Sequence, residues 1–127
     1  MHLQSVVIYL SAAFFLLYGL AFTLVPVEMA MLVTGAAPQA PSAAVDFRAT
    51  YGGMTVAVGL ALVYLNAIAQ RRACLVVIIM VLMGMALARA LGLVLEGGGN
   101  ALMYVYLVLE VAGSALAFVA MPARDGD

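Results

Sequence analysis

The chain contains no lysine, one histidine and one cysteine, and only 9% of its residues carry a charge. Each shortage excludes something. With no lysine, and a net charge of -1, it lacks the clustered positive face that nucleic acid requires. Cys74 has no second cysteine with which to close a disulfide and stands far along the chain from His2. No metal-ligand spacing exists, no cofactor is expected, and Cys74 reads as a small buried residue. The scarcity of charge says most. A soluble domain has roughly a quarter of its residues charged and about half apolar, whereas this chain is 68% hydrophobic with a mean hydropathy of +1.20. Its first partner is therefore the lipid bilayer.

Length then sets the architecture. A membrane-crossing helix needs about 20 apolar residues, so 127 residues hold four such helices and leave no room for a soluble catalytic domain. The expectation is a single all-α domain over 1–127, an integral membrane antiparallel four-helix bundle with spans near 3–25, 44–69, 73–95 and 101–121. The first run stops at Pro26, which continues a helix badly and restricts its predecessor. It lacks the basic start and short core of a cleaved signal peptide, so it reads as retained. Ser11, Phe15, Tyr18, Gly19 and Phe22 recur along it at helical spacing as a packing face, and a buried Tyr18 hydroxyl would need a partner.

The connection from Val27 to Ala44 is rich in Pro, Gly, Ala and Ser. Within it Glu28, Met29, Met31 and Leu32 suit a short amphipathic turn that Gly35 ends, and Ser42 or Asp46 is a candidate N-cap for the second span. That span carries Arg48, Gly52, Thr55, Gly59, Leu62 and Asn66 on one face. In lipid, helices associate through close packing of small residues and through hydrogen bonds rather than a hydrophobic drive. Gly52 and Gly59 are thus expected at a helix contact, as are Gly84, Ala88 and Gly92 in the third span and Gly113 in the fourth. Met80, Met83 and Met85 have no histidine or cysteine beside them and read as flexible filler rather than copper ligands. The turn Glu96–Asn100 is glycine-rich but lacks the lysine and hydroxyl of a phosphate loop.

Arginine also sets orientation. Arg71 and Arg72 in the second turn and Arg124 in the tail favour the cytoplasmic side. This places the protein in the cell's inner (plasma) membrane with both termini cytoplasmic, and turns the Pro-rich connection and the Gly97 turn outward. Arg48 weighs against that bias, so dual topology stays open.

Two ionisable residues fall inside the hydrocarbon. At 1.5 Å per residue, Arg89 lies about 10 Å from the turn at Glu96 and Glu110 about 15 Å from Asn100, within a core about 30 Å thick. Helical side chains lean towards their own N-terminus. On antiparallel neighbours Arg89 and Glu110 therefore lean towards each other. Either one unpaired costs about 2.5–3.5 kcal/mol on insertion scales. Two readings follow: a buried ion pair that fixes helix register, or the floor of a polar ligand-binding pocket whose outer rim is Asp46, Arg48 and Tyr51.

The run DFRATYGGMTVAVGL from Asp46, with ALARALGLVLEGG in the third span and YVYLVLEV in the fourth, resembles a group of bacterial four-helix membrane proteins. The group is the family called domain of unknown function 4345, which is broadly similar to DoxX-like four-helix proteins. The likeness extends from Pro26 and Gly35 through Glu110. The family pattern has Asp-Gly where this chain has Glu96-Gly97. The resemblance implies the four-helix fold and points to Asp46, Arg48, Tyr51, Arg89 and Glu110, and it supplies no activity. Three function classes follow. The first is a binding module or accessory subunit for a small amphiphile or a membrane-protein partner, with homo-oligomerisation open. The second is an enzyme on a lipophilic substrate with Glu110 as acid or base, for which Tyr51 and Asp46 are the available second proton carriers. The third is a small proton-coupled transporter. Four-helix exporters of similar size keep their acid in the first helix, and here that helix has none.

Overall fold

The computed structural model of the protein describes residues 2–122, so the expected solvated tail of Arg124, Asp125, Gly126 and Asp127 lies outside the described residues. The described chain is helical almost throughout and contains no strand. Helix α1 (His2–Leu24) is followed by the short α2 (Pro26–Thr34), then by α3 (Pro41–Phe47), a π-helical stretch (Arg48–Gly53) and α4 (Met54–Ala67) in unbroken succession. Helices α5 (Arg71–Leu95) and α6 (Ala101–Val119) complete the molecule. Four segments are long and apolar enough to cross a membrane: Leu3–Leu24, Pro41–Ala67, Arg71–Leu95 and Ala101–Val119. Large apolar side chains point away from the protein, from Leu10 at 65% exposed to Val94 at 78%. A water-soluble protein does not leave so much apolar surface uncovered, and lipid is the solvent that such a surface fits.

Local chemistry explains the boundaries. Pro26 does more than stop α1. It opens α2 from the first helical position, where its missing N–H costs nothing, and Gly35 closes α2 in the left-handed conformation with φ 83°. The second span begins earlier than its apolar pattern suggests, at Pro41 with Ala40 as N-cap. Neither Ser42 nor Asp46 caps it, because proline at N1 already presets the first turn. At the α5–α6 turn the Gly98 N–H donates to the Leu93 carbonyl at 2.9 Å, closing α5 as a Schellman motif. Asn100 then opens α6, its side-chain oxygen accepting from the Met103 N–H.

Glycine sets the closest helix approach, that of α1 to the second span. A Cβ on Gly52 would stand 2.5 Å from Thr23 Oγ1 and 3.0 Å from the Thr23 nitrogen, and one on Gly59 would stand 2.7 Å from Leu16 Cγ. Gly19 answers from α1, where a Cβ would come within 2.7 Å of the Val56 nitrogen. The α5–α6 pair uses Gly113, whose missing Cβ leaves room for Leu82. Gly84 and Gly92 do not play the packing part expected of them: a Cβ on either would meet nothing within 4 Å, and Gly84 and Ala88 are exposed. Their small-residue spacing is real, but neither glycine is needed to admit another helix of this chain. Two apolar clusters fill the bundle. One surrounds Ile8, Phe15, Leu62, Leu75, Ile78 and Ala117. The other gathers Phe22, Ala30 and Val33 with Tyr18, Met29, Phe47, Met103 and Tyr106. Through Ala30 and Val33, α2 closes the end of the bundle that also carries the α5–α6 turn.

Candidate functional site

Helices α5 and α6 are antiparallel neighbours, and the register that sets Leu82 against Gly113 brings Arg89, seven residues on, level with Tyr106, seven residues back. Arg89 and Glu110 meet there. Arg89 Nη2 donates to Glu110 Oε1 at 2.6 Å, and Nε donates to Oε1 and Oε2 at 3.2 and 3.0 Å. This is the fork geometry that suits guanidinium to carboxylate. The Glu110 side chain is 6% exposed and that of Arg89 18%, so the acid is enclosed while the arginine keeps one edge open.

That open edge has weak partners. Arg89 Nη1 reaches Met103 Sδ at 3.2 Å, and a thioether is a poor acceptor. The Arg89 Cζ stands 5.2 Å from the centre of the Tyr106 ring, within cation–π range. Met103, Tyr106 and Glu110 fall on one face of α6 at steps of three and four residues, so the helix delivers sulfur, ring and carboxylate to the same guanidinium. Beyond the pair lies a cleft of about 260 Å³, walled by Arg89, Gly92, Leu93 and Glu96 of the α5 end and by Gly98, Gly99 and Met103 across the turn. Positions 89, 92, 93 and 96 share one helical face. Gly92 leaves space where a side chain would stand. A second depression of about 300 Å³, between Tyr104, Val105, Val108 and Leu109, is lined by no charged side chain and stands apart from the ion pair.

The remaining residues expected at the site go elsewhere. Arg48 donates from Nε to the Thr23 carbonyl at 3.1 Å, satisfying one of the acceptors that the end of α1 leaves without an intrahelical donor. Tyr51 is 45% exposed, stacks on Phe22 with ring centres 5.2 Å apart and meets Phe47 at a tilt with ring centres 5.3 Å apart. The Asp46 side chain is exposed and its carboxylate makes no hydrogen bond or ion pair among the described residues. None of the three lines the cleft. Ring contacts join Tyr51 to the ion pair, Phe22 to Tyr18 at 5.0 Å and Tyr18 to Tyr106 at 6.3 Å, and Tyr51 also lies within electrostatic range of Arg89. Tyr18 thereby finds its aromatic neighbours at the junction of α1 and α6.

Asn100 is the residue that pattern reading passed over. Besides capping α6, its Nδ2 donates to the Val33 carbonyl at 2.9 Å, tying α2 across the bundle to the start of α6. An asparagine directly before an apolar run is an N-cap signal; its second bond, 67 residues away, has no local sign.

The sequence profile of a family described as Domain of unknown function (DUF4345) matches residues 3–121. No curated protein and no solved structure matches the chain.

Proposed function

The chain belongs to the DUF4345 family, and on that premise we propose that it is a membrane-embedded binding module whose receptor group is the open edge of Arg89. One observation carries this reading: the guanidinium, its charge balanced by Glu110 on one side, forms a wall of the cleft beside the α5–α6 turn. An intramembrane charge is costly to keep and marks function by default. Glu110 in this reading orients and neutralises the arginine, both its oxygens accepting from Arg89. Acid–base chemistry would need a second proton carrier, and Tyr51 and Asp46 stand outside the cleft. Binding is the use that the arrangement supports best. The protein sits in the plasma membrane with the α5–α6 turn and α2 on the outer side, where the cleft meets the outer leaflet.

Filling the cleft tests the proposal. The Cβ of Gly92→Leu enters space where it meets nothing within 4 Å, and its isobutyl end fills the cleft. After gentle extraction, mass spectrometry is expected to find a small amphiphile accompanying the wild-type protein and missing from the variant, with equal helicity and yield. Identical bound material in both would defeat the proposal. It would leave the pair as a fastening of helix register, a second reading that the enclosed carboxylate favours.

A further inference from the structure

The cleft is chemically lopsided. At its deep end the charge of Arg89 is cancelled by Glu110, but the guanidinium has five N–H donors. Among the described residues, those not turned to Glu110 have only weak partners, the Met103 sulfur and the face of the Tyr106 ring. At its shallow end Glu96 is exposed, and its carboxylate makes no hydrogen bond or ion pair among the described residues. It also caps the C-terminus of α5, where the helix dipole adds partial negative charge. The local sum is one uncompensated negative charge near the surface and spare hydrogen-bond donors below it.

We infer that the cleft beside Arg89 receives the head of an amine-bearing amphiphile, its ammonium at Glu96 and a carbonyl oxygen at the Arg89 guanidinium. This rests on the binding reading above and names its ligand class. Sign decides between headgroups: an anionic head would meet Glu96 and the α5 C-terminus with no free cation, because Arg89 is already paired. Spacing decides the rest. Residues 89 and 96 lie on one face about 10 Å apart along the axis, so the ligand holds its amine and its acceptor a headgroup's length apart. Leu93 and Met103 provide the apolar wall between the two ends. A volume of about 260 Å³ falls just below the usual range of about 300–1,000 Å³ for sites that enclose a whole small molecule. The head enters and the chains stay in the bilayer. An aminophospholipid offers this chemistry at this separation, whereas a phosphate-free amine lipid with ester-linked chains holds its amine too few bonds from its esters to reach both ends.

The test is native mass spectrometry of the full-length protein in micelles doped with phosphatidylethanolamine, with a phosphate-free diacyl dimethylammonium-propane, or with phosphatidylglycerol. One charge-assisted contact corresponds to about tenfold in affinity. Phosphatidylethanolamine is therefore expected to outbind phosphatidylglycerol by about that factor, and to outbind the shorter dimethylammonium-propane as well. Glu96→Gln is expected to bring the ratio of phosphatidylethanolamine to phosphatidylglycerol to about one. Phosphatidylglycerol or the dimethylammonium-propane bound as well as phosphatidylethanolamine, or a preference that survives Glu96→Gln, overturns the inference. Gly92→Leu separates this from failure of the underlying reading. If that variant binds every lipid like the wild type, the cleft is no binding site and both fall. If it loses lipid while Glu96→Gln keeps the preference, the binding site stands and the amine assignment alone is wrong.

Discussion

Arg89 and Glu110 show what a single pair can reveal from sequence. Their depth follows from counting residues from a turn, and their mutual lean follows from the direction of Cβ on a helix, so the contact could be read before any coordinate. The fate of Arg48 could not be. Its partner is a backbone carbonyl of Thr23, and carbonyls carry no residue identity for a pattern to detect. The pair also yields a stability prediction. Glu110→Ala strands a largely buried arginine, for which the loss is about 3–5 kcal/mol, and a clear fall in melting temperature in detergent is expected. The double change Arg89→Met with Glu110→Leu removes both charges and leaves apolar bulk in a lipid-compatible site. Replacing a buried pair by well-packed apolar residues is often neutral or better, so the double variant is expected to melt above the single one. Should the double variant melt lower than Glu110→Ala, the two side chains contribute independently and the pairing account fails.

At the scale of elements, the second span holds the main departure from its pattern. Its apolar run alone suggests one regular helix, yet a π-helical stretch occupies Arg48–Gly53, where Gly52 presses against Thr23. Such stretches are uncommon and often stand at functional places. Here the stretch joins the end of α1 through the Arg48 hydrogen bond, the Gly52 contact and the Phe22–Tyr51 stacking. Composition could mark Gly52 as a contact but could not tell it from Gly84, because small-residue spacing is the same whether or not a helix arrives. A pair of substitutions separates them. Gly52→Ala forces a Cβ to 2.5 Å from Thr23 Oγ1 and 3.0 Å from its nitrogen, and overpacking of this kind costs about 1–3 kcal/mol. Gly84→Ala meets nothing and is expected to be neutral or to gain up to about 1 kcal/mol of helix propensity. Thermal melts of the two variants side by side check the order, and equal melting would contradict the packing described. Helix α2 gives the companion case. Asn100→Asp keeps an oxygen for the α6 cap but loses the donor to Val33, so faster hydrogen exchange is expected across 26–34 with α6 unchanged. Asn100→Ala removes both and adds the loss of a cap, about 1 kcal/mol.

For the whole molecule, four crossings in alternating direction put the α1 start, the α4–α5 turn and the α6 end on one side. The α2–α3 connection and the α5–α6 turn stand on the other. The architecture was legible because composition, length and Pro/Gly punctuation agreed. Where the rim residues go was not, because Arg48 turns to the α1 end, Tyr51 to aromatic contacts and Asp46 to the surface. Which side faces the cytoplasm rests on Arg71, Arg72 and Arg124 against Arg48, and this can be measured without disturbing the bundle. Cys74 is fully buried and its thiol approaches the Leu62 carbonyl at 3.6 Å, so it contributes little background to labelling by a membrane-impermeant maleimide. Gln39 and Gln70 are both exposed, one in each kind of connection. With arginine setting orientation, Gln39→Cys is expected to label on intact cells and Gln70→Cys only after permeabilisation, and the opposite result would invert the assignment. Adding Arg71→Gln, Arg72→Gln and Arg124→Gln to either reporter removes the bias while Arg48 remains. Labelling should then become mixed or reversed, and labelling that stays unchanged would mean that something other than these three arginines orients the protein.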